Sequence, residues 1–244
     1  VKKGPNLNAE EFARRAEREI DFYRTICPEF KAGVRVTGEV SGLIVSRGKL
    51  LINSDLSLPA SRVEALMAHE VGTHLLTYSN GRMQPFQQLC SGLAGYEELQ
   101  EGIAVLSEYL VGGLNRSRMR QLAARVVAVR CLIDGASFVD TFRVLSRDYR
   151  FIHRNAYTIA MRVYRGGGLT KDMVYLRGLK AILQYVRDGN DLKPLFTGKM
   201  AGKHIPIIQE LLYRNVLKPV PVLPRYMQQA ASLQRLDELR NNPC

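Results

Sequence analysis

The chain has 244 residues, 46% of them hydrophobic and 24% charged, a balance that excludes a disordered or collagen-like protein. No apolar run approaches the roughly 20 residues that cross a bilayer, which excludes an integral helical membrane protein. Lys and Arg number 35 against 23 Asp and Glu, a formal charge of +12. Much of the excess is local: between Leu114 and Arg165 there are eleven Arg and three Asp, a net of +8.

In chain order, Asn8 and Glu11 have the spacing of a capping box and open a helix over Glu10–Thr25, which Pro28 stops. Val34, Val36, Val40, Leu43, Ile44, Val45, Leu50, Leu51 and Ile52 are then punctuated by Gly38, Gly42 and Gly48. They predict two or three antiparallel strands with Ser46-Arg47-Gly48 as a hairpin turn. Ser61 and Glu64 suggest a second capping box. The helix they open carries an apolar stripe of Val63, Leu66, Met67, Val71 and Leu75 and should end near Tyr78, before Asn80-Gly81. Further helices are expected over Glu97–Val111 and near 117–133, 137–149, 153–165, 171–188, 205–217 and 226–239. Gly166-Gly167-Gly168 breaks the series, and Pro219, Pro221 and Pro224 stiffen the segment before the last helix. The fold class is therefore mainly α (α+β), with a small antiparallel sheet near the N-terminus. A chain of this size can bury roughly 70–75% of its unfolded surface in one core, so residues 1–244 are read as a single domain.

Cys27, Cys90, Cys131 and Cys244 are far apart and form no CxxC pair. This argues against a zinc ribbon or thioredoxin-type site and for free thiols in a reducing, cytoplasmic setting. Val1-Lys2-Lys3-Gly4-Pro5 leads straight into a charged helix and has no signal-peptide character. The missing initial Met points to a fragment or a trimmed chain. The Arg-rich stretch suits nucleic acid, anionic lipid or an acidic protein segment. Aromatics are only 8%, with no Trp, and none interleaves the basic run as in RNA-binding sheets, which argues against nucleic acid.

Two of the four His lie in His69-Glu70-Val71-Gly72-Thr73-His74. Neutral imidazole is a good zinc ligand, and a carboxylate beside the metal can take a proton from its water. In the common zincin motif the two His stand four apart, about 40° round an ideal helix; five apart they diverge by about 140°. A helix widened by one residue restores a common face. We therefore expect a bulge or local unwinding at Val71–Thr73, eased by Gly72. A third ligand should come from a neighbouring helix, and Glu101, in Gln100-Glu101-Gly102-Ile103-Ala104, is the candidate. Glu97, Glu101 and Glu108 share one face of that helix, so Glu97 and Glu108 are candidates to orient a ligating His.

These residues resemble a known family. His69–His74 followed by Gln100–Ala104 is similar to the microtubule-associated tyrosine carboxypeptidases and their bacterial relatives, the flavohemoglobin expression-modulating QEGLA-motif proteins. That family has an HExxxH motif, a downstream EGLA-type motif, and a Gly-rich segment followed by TKD-x-x-YL-x-G. Here the last reads Gly166-Gly167-Gly168-Leu169-Thr170-Lys171-Asp172-Met173-Val174-Tyr175-Leu176-Arg177-Gly178, and Asn80–Pro85 resembles the loop after the second His. The likeness runs from about Val34 to Tyr226, with Ile103 in place of the usual Leu.

The resemblance implies a zinc metallopeptidase domain with carboxypeptidase activity. His69, His74 and Glu101 would be the Zn2+ ligands and Glu70 the general base. It further implies that a stretch of the family domain before the HExxxH motif is missing. Characterised members remove the C-terminal tyrosine of α-tubulin. The QEGLA-type motif is nearer the bacterial members, whose hosts have no such tail, so the substrate is not carried over. An exopeptidase needs a cation for the terminal carboxylate; Arg82, Arg162, Arg165 and Lys171 flank the family-like loops and are candidates. Tyr175 or His153 could donate a hydrogen bond to an oxyanion, although His153 and His204 also read as structural histidines, and Tyr157, Tyr164 and Tyr175 as core. The expected partner is a peptide or protein C-terminal tail, an acidic one if the Arg-rich surface is used. The alternative is a regulatory module, zinc-bearing or metal-free, that binds a protein through that surface.

Overall fold

The computed structural model describes residues 6–165 and 171–241. The Gly166–Gly168 break, Thr170 and Cys244 lie outside the described residues. The chain is mainly helical with small sheets near its start, as the hydrophobic periodicity indicates. Strand β1 (Asn6–Asn8) runs into helix α1 (Ala9–Ile26) through the expected capping box. The Asn8 side chain accepts the Glu11 N–H at 2.9 Å, and Glu11 accepts the Asn8 N–H at 2.8 Å. Helix α1 buries Phe12, Ala16, Ile20 and Tyr23, one stripe of the 3.6-residue period.

Strands β2 (Gly33–Thr37), β3 (Leu43–Ser46) and β4 (Lys49–Asn53) form a sheet in the order β2-β4-β3. The β3–β4 hairpin turns on Arg47 and Gly48, both at positive φ, as a two-residue type I′ turn requires. One expectation changes: β2 pairs with β4 in parallel, so the sheet is mixed. The hairpin occupies one edge of β4, and β2 takes the other. An antiparallel pair joins β1 to β5 (Ser57–Pro59).

Strand β5 leads directly into a helical rod: α2 (Ala60–Leu66), a π-helical stretch over Met67–Leu75, and α3 (Leu76–Arg82). The capping box expected at Ser61 does not form. The N-cap is Pro59, with no side-chain cap, and Glu64 instead faces Arg15 at 3.4 Å. The strand delivers the chain in extended geometry two residues earlier, so Ser61 is already inside the first turn. The rod also runs past Tyr78 through Asn80-Gly81, where a break was expected. Asn80 is buried and donates to the carbonyls of Phe196 and Val222, both at 2.8 Å. Gly81 lies so close to the Leu89 main chain that no Cβ fits. Packing, not a turn, accounts for both residues.

After the short α4 (Gln88–Ser91), helix α5 (Tyr96–Leu110) packs against the π stretch on one side and against α9 (Lys171–Arg187) on the other. Gly102 of α5 meets Gly178 of α9 backbone to backbone, and a Cβ on either would overlap the other helix. Between them in sequence lie α6 (Arg116–Ile133), α7 (Phe138–Arg143) with a π turn over Val144–Asp148, and α8 (His153–Tyr164). These carry a second cluster of buried residues, including Ala128, Leu145, Ala156 and Ala160. Helix α10 (Ile205–Tyr213) and the Pro-rich segment lead back to the rod, where Tyr226 packs on Gly72 before α11 (Ala230–Asn241). No described helix is long and apolar enough to cross a membrane.

The Gly102–Gly178 crossing sets the spacing between α5, which packs on the His-bearing rod, and α9 on its other side. Gly102→Ala and Gly178→Ala should each destabilise by about 1–3 kcal/mol through overpacking. That corresponds to a Tm lower by about 2–4 °C per kcal/mol for a chain of this size. Gly202→Ala, where a Cβ meets open space, should stay within about 0.5 kcal/mol. Thermal melts of the three variants check the difference.

Candidate metal centre

The expected distortion at Val71–Thr73 is longer than a single bulge. The whole of Met67–Leu75 is π-helical. Its hydrogen bonds reach back five residues: the Leu76 N–H reaches Val71 O, and the Thr73 hydroxyl donates to Ala68 O at 3.0 Å. In this geometry i and i+5 share a face, so His69 and His74 point the same way. Their rings sit edge to face with centroids 4.9 Å apart. Gly72 has a role beyond easing the backbone: a Cβ there would come within 3.2 Å of the Tyr226 ring, so the glycine lets Tyr226 pack against the back of the π turn.

Glu101, on α5, faces both histidines. Its Oε2 lies 3.5 Å from His69 Nε2 and 3.5 Å from His74 Nε2, and ligand atoms of all three residues lie within 4.8 Å of one another. Glu101 is buried, and among the described residues its Oε2 has no hydrogen-bond partner. A buried carboxylate oxygen left unpaired is costly, and this one points at the space between two imidazole nitrogens. Two nitrogens and one carboxylate oxygen are a donor set for a zinc-type cation, with room for a fourth, non-protein position. The residues fit a metal ion.

The polar surroundings orient that set. His69 Nδ1 lies 3.0 Å from Glu108 Oε1. Glu108 is fully buried and also receives Arg62 at 2.9 Å and Arg118 at 2.9 and 3.2 Å. An ionised Glu108 makes Nδ1 the donor and leaves Nε2 facing Glu101. Burial opposes charge on Glu108, but His69 and Arg118 hold its pKa down at about 2. Burial likewise opposes a charged His69, but Glu101 and Glu108 prevail and raise it to about 10. Burial also works against the Glu101 carboxylate, and the two histidines hold its pKa well below the usual range. The site therefore favours positive charge at its centre.

Glu70 lies on the same cavity as the three residues, a space of about 260 Å³. Burial raises its carboxyl pKa, against a lowering by His69 and His74, which suits a group that takes up and returns a proton. Tyr175, one turn before Gly178, also lines the cavity. Burial and the charge of Glu101 push its phenol well above the ordinary range, so it stays an O–H donor, with Arg125 packed on its ring at 5.1 Å.

The remaining sequence candidates scatter. Lys171 lines the cavity. Arg162 donates twice to the buried Asp172, at 2.9 and 3.1 Å. Arg82 faces two other clefts beside Glu29, Lys31 and Met83, and Arg165 is exposed at the end of α8. His153 is exposed and packs on Phe142, and His204 accepts the Ala201 N–H at 3.2 Å. Glu97 reaches the cavity but pairs with neither histidine, whereas Glu108 does.

Several cavity residues were not singled out from the sequence: Leu43, Ile44 and Val45 on the edge strand β3, Tyr96, and Lys199. Tyr96 stands five residues before Glu101 and was within reach of the motif. Lys199 lies far from every motif, and nothing around it in sequence marks it.

No curated protein matches the chain. The sequence profile described as microtubule-associated tyrosine carboxypeptidase matches residues 2–242, nearly its whole length. With that match over the same residues that form the His69–His74–Glu101 cluster, the chain belongs to the microtubule-associated tyrosine carboxypeptidase family.

Proposed function

We propose that the chain is a zinc-dependent carboxypeptidase that releases one C-terminal residue, tyrosine by the family's description, from a peptide or protein tail. The observation that carries this reading is the unpartnered, buried Glu101 oxygen facing two histidine nitrogens at equal distance. His69, His74 and Glu101 would hold the ion. When bound, zinc supplies Lewis acidity toward a carbonyl and toward water. Glu70 takes the proton of the attacking water and returns it to the departing amine. The Tyr175 O–H donates to the oxygen that gains negative charge. Glu108 holds the His69 ring and tautomer in place, with Arg62 and Arg118 fixing Glu108 in turn. The free thiols Cys27, Cys90 and Cys131 support a reducing, cytoplasmic setting.

Incubating the zinc form with a pool of peptides varied at the C-terminus, followed by mass spectrometry, should show loss of single terminal residues, enriched for tyrosine. Internal cleavage would mark an endopeptidase, and bound zinc without any cleavage would favour the regulatory alternative. Glu70→Gln should retain zinc and the native melting profile while turnover falls at least about 100-fold. Glu108→Ala should weaken zinc affinity about 10–100-fold, read by competition with a coloured chelator. If the Arg-rich α6–α8 surface draws in acidic tails, kcat/KM on acidic peptides should fall as salt rises from 0.05 to about 0.5 M, while neutral peptides change little.

A further inference from the structure

We propose that Lys199 is the cation that captures the terminal carboxylate of the substrate, a binding residue for the carboxypeptidase reading above, on which this assignment rests. An exopeptidase must recognise a charged chain end, and the anion needs a fixed cation inside the same cavity as the reacting bond. Among the described Lys and Arg residues, Lys171 and Lys199 line the cavity that holds His69, Glu70, His74 and Glu101. Lys171 is exposed at the first residue of α9. Arg162 is committed to Asp172, and Arg82 and Arg165 lie elsewhere.

Lys199 is built in differently. Its main chain is clamped from both sides: its N–H donates to Leu89 O at 2.7 Å, and its carbonyl accepts the Leu93 N–H at 3.0 Å. The preceding Gly198 packs so tightly on Leu89 that a Cβ there would overlap it. The side chain is half-buried, and its Nζ lies 5.3 Å from the centroid of the Tyr78 ring and 5.5 Å from that of Tyr96. These rings come from the two elements that carry the metal-site residues. Tyr78 is one turn beyond His74 on the rod, and Tyr96 opens the helix that bears Glu101. The ammonium is thus positioned relative to both histidines and Glu101.

Among the described residues no carboxylate lies within 4.0 Å of the Lys199 ammonium. Ring faces attract a cation but offer it no hydrogen-bond acceptor comparable to a carboxylate oxygen. Glu97 lines the same cavity and acts on Lys199 from a longer range. A partly desolvated ammonium with three donors and no carboxylate in contact gains most from an anion that enters the cavity with it. At about 260 Å³ the space is below the ~300–1,000 Å³ of drug-sized pockets. It suits one terminal residue, with its carboxylate on Lys199, its side chain beside the Tyr96 ring, and its scissile carbonyl toward the histidines.

The test compares N-acetyl-alanyl-tyrosine with its C-terminal carboxamide, by titration calorimetry, on the zinc-loaded full chain carrying Glu70→Gln. With Lys199 present the free acid should bind about 10–100-fold more tightly than the amide. Lys199→Met, similar in length and apolar, should erase that preference while leaving amide binding and the melting temperature unchanged. Lys199→Arg should restore most of it. A merely structural role for Lys199 would weaken acid and amide alike and move the melting temperature. An acid preference that survives in Lys199→Met overturns the assignment without touching the carboxypeptidase reading. A Lys199-dependent acid preference in a chain whose native form releases no residue overturns the peptidase reading and leaves the carboxylate clamp standing.

Discussion

His69 and His74 are five residues apart, and a helix of 3.6 residues per turn directs them to opposite sides. Both can serve one centre only if the backbone between them is wound more widely. In this protein nine residues, Met67–Leu75, adopt that winding. A π-helix is poorer in its own hydrogen bonding and is seldom extended, so it persists where the surroundings over-determine it. Seven of the nine residues are buried. The Thr73 and Thr77 hydroxyls hydrogen-bond to carbonyls inside the rod, and Tyr226 fills the back of the turn against Gly72. The rest of the core can be read as the scaffold that holds this one stretch out of α geometry.

The charges around it follow from the same requirement. Two imidazoles brought together and a carboxylate between them leave a buried oxygen that no donor among the described residues satisfies. A second carboxylate, Glu108, is buried beneath His69 and would be costly alone. Arg62 and Arg118 reach in from α2 and α6 and neutralise it. Removing either partner of such a buried cluster leaves an uncompensated charge, so the layer behind His69 links the rod, α5 and α6 energetically as well as spatially. The small residue at 102 has a similar logic. Glu101 can face the histidines only if α5 lies close to the rod, and α9 reaches α5 through the Gly102–Gly178 contact, which brings Tyr175 onto the same cavity.

Much of this was legible in the sequence because it is written in local patterns. The Asn8–Glu11 capping box, the apolar stripes of α1 and of the rod, and the Arg47-Gly48 turn each depend on residues within a few positions of one another. The five-residue His spacing carried its own geometric demand, and Glu101 followed from the need for a third donor on a neighbouring helix. The errors share the opposite character. Ser61 and Glu64 have capping-box spacing, but β5 enters the helix at Pro59 and leaves the box unused. Asn80-Gly81 has the composition of a turn, but the pair is buried inside α3 to meet Phe196, Val222 and Leu89. Strand β2 could have paired on either side and in either direction, because alternation of side chains specifies a face and not a neighbour.

By itself, then, the sequence determined the class of fold and singled out His69, Glu70, His74 and Glu101 as candidates that the structure brings to one cavity, since those rest on periodicity, residue type and spacing. The tertiary structure decided which of many cations belongs to the cavity. Arg82, Arg162, Arg165 and Lys171 are equivalent on a linear chain. Lys199 looks like any surface lysine until its clamped backbone and the Tyr78 and Tyr96 rings set it on the cavity that His69, His74 and Glu101 also line. A charge has no periodicity to betray its position; only the packing of elements far apart in sequence gives it a direction and something to face.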